Sequence, residues 1–150
     1  MSDIYEVRRV VRASSKRLFE AWLDGREHSA MTGRAATAGA VEGDAFSALD
    51  GLIVGKNLEI EPYRYIVQAW RTQEPGVRAF ESRVDLVLAT GRVNGGLGRP
   101  HDDGTTITVR HSGLPMGQTQ FTAQWWEDSY FKPMDAYFAQ GNARFTRPSP

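Results

Sequence analysis

Residues 121–138, FTAQWWEDSYFKPMDAYF, decide how this chain folds. The stretch holds two Trp, two Tyr, three Phe and one Met, with charged and amide side chains between them. At about 100° per residue, the apolar positions gather on one side of a helix and most polar positions on the other. The pattern predicts a long amphipathic helix. Its buried line consists of Ala123, Trp126, Tyr130, Met134 and Tyr137, with Phe131 and Phe138 on one flank.

Four residues refine this prediction. Trp125 and Trp126 point about 100° apart, so we place Trp126 at the centre of the buried face and Trp125 at its edge. Pro133 lacks the N–H that a helix interior uses, and we expect a kink there because the apolar line continues beyond it. Gly141 is expected to end the helix.

Composition and charge narrow the class of protein. The 150 residues fit one domain, with a core at about 4–140 and a tail at 141–150. Lys plus Arg and Asp plus Glu are 18 each, and zero net charge argues against nucleic acid or an anionic membrane as the main partner. The chain has no Cys, no apolar run long enough to span a membrane and no signal-peptide core in residues 1–13. We therefore expect a cytoplasmic protein.

The N-terminal part of the chain predicts one strand and two short helices. Residues 3–12, DIYEVRRVVR, show mixed apolar alternation that is typical of a strand. Ser14 or Ser15 then provides an N-cap for a helix that contains LFEAW. Gly25 is expected to end this helix, and residues 26–33 to form a second short helix or a turn.

From Ala35 onward the sequence predicts short strands joined by tight turns. Asp50-Gly51, between FSAL and LIV, is a strong hairpin signal. Successive strands of this kind imply an antiparallel meander. The predicted runs are 36–41, 44–49, 52–60, 64–72, 79–90 and 105–112. The residues expected to share a face within a strand are Leu52, Val54, Leu58 and Ile60; Ile66, Gln68 and Trp70; Ser82, Val84, Leu86 and Leu88; and Ile107, Val109 and His111.

A sheet with one apolar face needs a cover. The two N-terminal helices are short, so the C-terminal helix is the element long enough to supply that cover. A curved sheet that grips one helix satisfies both requirements. Because a bowed sheet cannot touch a straight helix along its whole length, we expect a cavity between them.

The order of several segments resembles a known family. LFEAW, MTG, EGDAFSALDG, LIVGKNLEIEP, YIVQAWR, TTITVRHSGLP and WWEDSYFKPMDAYF follow one another in this chain. This ordered set is similar to the homologues of the activator of the 90-kDa heat-shock protein ATPase, within the START-like or SRPBCC superfamily. The resemblance runs from about Val7 to Phe138.

The resemblance implies an α+β helix-grip fold. Its features are a curved seven-stranded antiparallel sheet wrapped round a long C-terminal helix, two short helices after the first strand, and a hydrophobic cavity. The activators that give the family its name carry an additional N-terminal domain. Because we expect one domain over residues 1–150, direct stimulation of a chaperone ATPase is disfavoured.

The main functional hypothesis is a binding protein for a small hydrophobic molecule, lipid-like or polyketide-like. Apolar walls would desolvate the ligand, and a few polar side chains would orient it. The residues expected to line the cavity are Phe46, Gln68, Trp70, Ser82, Val84, His111, Trp126, Tyr130 and Met134.

Two other functions remain open. A cyclase or isomerase would use His111 as its acid or base, although a structural role for this histidine is favoured. A protein-interaction module, with a chaperone partner or as a homodimer, would use an exposed patch at Phe121 and Trp125.

No cofactor and no metal are expected. His101, Asp102 and Asp103 are adjacent in a polar loop, and such neighbours rarely converge on one ion. Residues 91–104, GRVNGGLGRPHDDG, match no phosphate-binding glycine pattern. We interpret this segment as a long hairpin loop and a candidate flap over the cavity.

Overall fold

The computed structural model describes residues 2–73, 78–92, 103–118 and 120–146. Six strands and the helical segments follow one another in an α+β arrangement. In chain order they are β1 (Ser2–Val11), α1 (Ser15–Trp22), α2 (Gly25–Thr32), β2 (Ala45–Ala48), β3 (Ile53–Glu61), β4 (Tyr65–Thr72), β5 (Glu81–Arg92), β6 (Asp103–Pro115), α3 (Ala123–Trp126), a π-helical turn (Glu127–Phe131) and α4 (Lys132–Thr146).

The strands form one antiparallel sheet in the order β1-β6-β5-β4-β3-β2. The first strand pairs with the last, and α1 and α2 carry the chain from one edge of the sheet to the other. The C-terminal helical segments pack on the inner face, as the helix-grip prediction requires. The described sheet has six strands, whereas seven were predicted.

The difference in strand number lies in residues 36–41. Only Thr37 pairs there, in an isolated bridge with Ser47. In the same segment, the carbonyl oxygens of Gly39 and Val41 accept from the side-chain nitrogen Nδ2 of Asn57, at 2.9 and 3.1 Å. Because a side chain takes these backbone acceptors, the segment follows the sheet edge without joining its ladder.

Local signals set the two short helices. Ser14 is the N-cap of α1, and the Asp24 side chain caps α2. Helix α1 ends at Trp22, so Gly25 starts the second helix and does not end the first as expected. Gly33, with φ 78°, provides the left-handed residue that closes α2.

The predicted hairpin joins β2 to β3. Leu49, Asp50 and Gly51 all have positive φ (53°, 60° and 87°), which a tight reversal of this kind needs. The Asp50 carboxylate accepts from the backbone N–H of Ala35 (2.8 Å) and from Arg34 (3.0 Å). Asp50 therefore both forms the turn and ties it to the segment that follows α2.

The inner face of β3 differs from the prediction. Ile53 and Asn57 are buried, whereas Leu58 is 41% exposed. A bulge between Asn57 and Glu59 shifts the register against β4 and breaks the alternation on which the prediction was based. Leu52 and Ile60 of the predicted apolar face pack against the core, whereas the assignment of Leu58 to that face is wrong.

The C-terminal helix contains a wide turn immediately before its proline. The backbone N–H of Lys132 donates to the carbonyl oxygen of Glu127, five residues back, which defines the π-helical turn. Pro133 has no N–H to donate and would crowd the carbonyl of Ser129 in a regular helix. The wider turn relieves that crowding, and α4 then continues through Gly141 to Thr146. Gly141 does not end the helix as predicted.

The wide turn also decides which residues face the sheet. Twelve residues of regular helix would turn Phe138 about 120° away from Trp126, but one residue absorbed in the turn reduces this to roughly 20°. Tyr137 is accordingly only partly buried, and Ala123 is exposed. The buried line is Trp126, Tyr130, Met134 and Phe138, with Phe131 beside it.

Candidate functional site

Four aromatic rings form a continuous stack between the sheet and the helices. The Trp22 ring on α1 stacks on Tyr130, with 4.7 Å between centroids. Tyr130 stacks on Trp126 (5.4 Å), and Trp126 stacks on Trp70 of β4 (5.3 Å). All four residues are at most 2% exposed. Sequence reasoning placed Trp126 at the centre of the buried face, and this is confirmed.

His28 on α2 fixes one end of the stack. Its Nδ1 lies 2.8 Å from the carbonyl oxygen of Trp22, which only accepts, so Nδ1 carries the proton. Its Nε2 therefore accepts from the Tyr130 hydroxyl at 2.9 Å. Burial lowers the pKa of His28 and raises the pKa of Tyr130, so both groups are neutral at pH 7.

His111 on β6 occupies the other end. The Trp126 indole N–H donates to Nδ1 at 3.3 Å, so the proton of His111 is on Nε2 and is donated to the Ser82 hydroxyl at 2.9 Å. Burial lowers the pKa of His111 to about 4. With both nitrogens engaged and no solvent exposure, this histidine has the environment of a structural group.

Gln68 links the stack to the sheet edge. Its side-chain oxygen accepts from the indole N–H groups of Trp70 (3.0 Å) and Trp22 (3.4 Å). Its side-chain nitrogen donates to Asn57 at 2.9 Å. The buried Gln68 side chain thus orients the Trp70 and Trp22 rings from the sheet side of the stack.

The structure brings the predicted cavity residues together on the inner face. All nine are at most 7% exposed, and the rings among them contact one another directly. In this arrangement they form a packed core, so a ligand between them requires some of the rings to move. These residues are Phe46, Gln68, Trp70, Ser82, Val84, His111, Trp126, Tyr130 and Met134.

Three buried residues of the same cluster were not predicted from the sequence. They are Trp22, which the sequence analysis places only within the first short helix, and His28 and Asn57, to which it gives no role. His28, Met31 and Thr32 stand at helical spacing in the sequence and are all buried, so this spacing was a usable signal for the inner side of α2. Asn57 carried no such signal, because the bulge after it disrupts the strand pattern.

A surface pocket opens at one end of this aromatic core. It has a volume of about 480 Å³ and is lined by Arg78, Ala79, Phe80, Pro115 and Gln118. The accessible lining is mostly apolar. The residues just before β5 form one wall of the pocket, and the end of β6 and the residues after it form the other.

Phe121 separates the pocket from the core. Its ring meets Phe80 edge to face at 5.9 Å and contacts His111 at 4.8 Å and Trp125 at 4.8 Å. Gln118 holds the Phe121 backbone on both sides, accepting from its N–H and donating to its carbonyl oxygen, each at 2.8 Å. The rings of Phe80 and Phe121 therefore lie between the pocket and His111.

The exposed patch predicted at Phe121 is wrong. Phe121 is 2% exposed because it fills the space between Phe80 and the core. Trp125 is partly buried against Trp70 and Phe121. The two rings contribute to the interior of the molecule.

Ion pairs fix the C-terminal helix against the rest of the fold. Arg9 on β1 binds both carboxylate oxygens of Glu127 (2.9 and 3.1 Å) and also Asp135 (2.6 Å). Arg17 on α1 binds Glu27 at 2.6 Å, and Glu27 also accepts from the Tyr137 hydroxyl. The arginine hydrogen bonds lower the pKa of Glu127 and of Glu27.

Two further predictions concern residues near the long loop. Residues 93–102, the centre of the proposed flap, lie outside the described residues, as do His101 and Asp102. Gly91 and Arg92 pair with Gly104 and Asp103, so the strands extend further into this segment than expected.

Within the described ranges, no group of three His, Asp or Glu residues is placed to hold a metal ion. Among the helices of the same ranges, none combines the length and the apolar composition of a membrane span.

Comparison with protein families agrees with this architecture. A model of the family described as "Activator of Hsp90 ATPase homolog 1-like protein" matches residues 12–139. The chain belongs to this family. The sequence-based resemblance is thereby confirmed. No curated protein has a sequence similar enough to match the chain.

Solved structures of other proteins share the fold. PFC0360w, an HSP90 activator from Plasmodium falciparum, superimposes with a TM-score of 0.70 at 17% identity, over 91% of this chain and 96% of that one. CalU16 from Micromonospora echinospora gives 0.68 at 19% identity, over 95% and 80%. DynU16, from the dynemicin biosynthetic locus, gives 0.68 at 21% identity, over 93% of this chain and 48% of its own.

Proposed function

We propose that this family member binds a small, uncharged, aromatic or otherwise apolar molecule through the pocket at Phe80. The observation that carries the proposal is a mostly apolar pocket of about 480 Å³ whose lining residue Phe80 contacts Phe121, which in turn contacts the aromatic core. Pockets of roughly 300–1,000 Å³ with apolar walls and few polar groups are typical of small-molecule sites.

In this proposal the ligand first contacts the apolar lining of the pocket and then moves inward past Phe121. Rotation of that ring would join the pocket to Trp70 and His111, which it now contacts. The nine residues predicted from the sequence remain our proposed inner wall. Occurrence of the fold in a protein from the dynemicin biosynthetic locus and in an HSP90 activator is compatible with either ligand binding or chaperone association, and the pocket favours the former.

The enzymatic alternative has less support. A general base needs a free nitrogen within reach of its substrate, whereas both nitrogens of His111 are engaged by Ser82 and Trp126. His28 is engaged in the same way by Trp22 and Tyr130. Both histidines serve to orient neighbouring rings.

Titration with the neutral fluorescent probe N-phenyl-1-naphthylamine tests the proposal. We expect saturable binding with a rise in probe fluorescence, and a loss of affinity of about tenfold or more in Phe80→Glu, because a carboxylate in an apolar pocket resists desolvation. Val87→Glu is the matched control, since Val87 is an exposed apolar residue on β5 away from the pocket. Absence of saturable binding, or equal losses in both variants, would refute the proposal.

A further inference from the structure

The hydroxyl of Tyr5 is a buried donor with no role in the interactions described above. Tyr5 on β1 lies opposite His111 on β6 in the sheet, with 5.8 Å between ring centroids. Its hydroxyl oxygen is shielded from solvent and has no hydrogen-bond partner within the described part of the chain. A buried polar group without a partner is costly, and folded proteins rarely retain one.

The neighbouring groups do not accept the Tyr5 proton. The nearby Trp126 indole has a single N–H, which is directed at His111 Nδ1. Burial raises the pKa of the Tyr5 hydroxyl to about 12, and the neighbouring Trp126 indole offsets part of that increase. The Tyr5 hydroxyl therefore keeps its proton near neutral pH and is available to donate it.

The surroundings of this donor restrict what can accept from it. The His111 ring beside Tyr5 contacts Phe121 (4.8 Å) and Trp70 (5.6 Å). Arg9 lies on the same face of β1 as Tyr5. Its guanidinium is already paired with Glu127 and Asp135. Arg9 therefore offers no free counter-charge to an anionic group at Tyr5, whereas an uncharged oxygen needs none.

We propose that Tyr5 donates a hydrogen bond to an uncharged acceptor oxygen, of ketone or quinone type, on an aromatic ligand bound behind Phe121. This inference rests on the proposed function and names the chemical class of its ligand. The aromatic part lies against Phe121 and Trp70, and the oxygen points toward β1. Recognition then combines one donor with an apolar enclosure.

A matched pair of probes tests the inference. 1-Acetonaphthone and 1-ethylnaphthalene have similar shapes, and only the first carries a carbonyl oxygen. Their affinities are measured by displacement of N-phenyl-1-naphthylamine from the wild type, Tyr5→Phe and Tyr63→Phe. Tyr63 is 43% exposed on the β3–β4 turn, so its variant controls for the loss of a tyrosine hydroxyl elsewhere.

The ratio of ketone to hydrocarbon affinity is expected to fall about three- to tenfold in Tyr5→Phe, the worth of one hydrogen bond, and to stay constant in Tyr63→Phe. Tyr5→Phe should also melt at or above the wild-type temperature, because it removes an unpartnered donor. An unchanged ratio with both probes bound, or a lowered melting temperature, overturns the inference and leaves the proposed function intact. Failure of every probe to bind the wild type overturns both.

Discussion

Gly55 lies between Phe46 and Trp70 in the lateral row formed by β2, β3 and β4. A Cβ atom at this position would lie 1.8 Å from the carbonyl oxygen of Ala69 and 3.0 Å from the Phe46 ring. The first of these atoms belongs to the backbone of a paired strand and cannot move without disturbing the sheet. The close pairing of β3 with β4 at this point thus depends on the absence of a side chain at Gly55.

Gly55→Ala is expected to lower the free energy of unfolding by about 3 kcal/mol, because the clash forces backbone displacement in β3 and β4, two internal strands of the sheet. Gly33→Ala is the control: it has φ 78° but no atom within 4 Å of the added Cβ, so only the conformational cost of about 1 kcal/mol is expected. Urea denaturation of both variants measures the difference. If Gly55→Ala and Gly33→Ala lost equal amounts of unfolding free energy, the backbone at Ala69 would have moved away from the added Cβ without cost.

Prediction at the residue scale succeeded where the information was local. The burial of Trp126 and of His111 followed from helix and strand periodicity. The role of His28 did not, because its partner Tyr130 is 102 residues away and nothing near His28 in the sequence indicates that contact. Long-range polar pairs of this kind depend on how whole elements pack.

At the scale of single elements, the C-terminal helix shows how one extra residue can be absorbed. The wide turn at Glu127–Phe131 keeps Trp126 and Phe138 on the same side. A helical wheel with a fixed angle assigned Tyr137 to the buried line and Phe138 to its flank. The wheel failed because the angle per residue changes within this helix, and Pro133 was the available signal.

Deletion of Ser129 in a Pro133→Ala background is expected to be tolerated, with a loss of unfolding free energy of about 1 kcal/mol. The deletion converts the wide turn into regular helix while the faces before and after it stay aligned. Deletion of Ala136 in the same background, which rotates Phe138 by about 100°, should cost about 3 kcal/mol or more. Thermal and urea unfolding measure both, and similar losses would contradict this account of the turn.

At the scale of the whole molecule, two neutral histidines lie in the interior. The pKa of His111 is about 4, below its ordinary value of 6.5, and the pKa of His28 is also lowered. The unfolded chain therefore takes up protons first as the pH falls. The stability that these histidines contribute is complete above about pH 6.5 and is lost as the pH falls from there toward about 4.

The free energy of unfolding is expected to drop by about 2 kcal/mol between pH 7 and pH 5 from His111 alone, with His28 adding in the same direction. Glu27 and Glu127 have lowered pKa values, so their contribution is lost mainly below about pH 4.5. Urea denaturation at pH 7 and pH 5 measures the histidine part. The drop should shrink in His111→Gln and in His28→Gln, and a full-sized drop in both variants would assign it to other groups.

The strand order has a consequence for how the chain emerges from the ribosome. The hairpins from β2 to β5 can close one after another, but β1 pairs only with β6 among the described strands, and about 90 residues must be translated between them. At roughly 5–20 residues per second, β1 waits on the order of 5–20 s for its partner. Asp3, Glu6, Arg8 and Arg9 place charge along this waiting strand, which discourages pairing with other nascent chains.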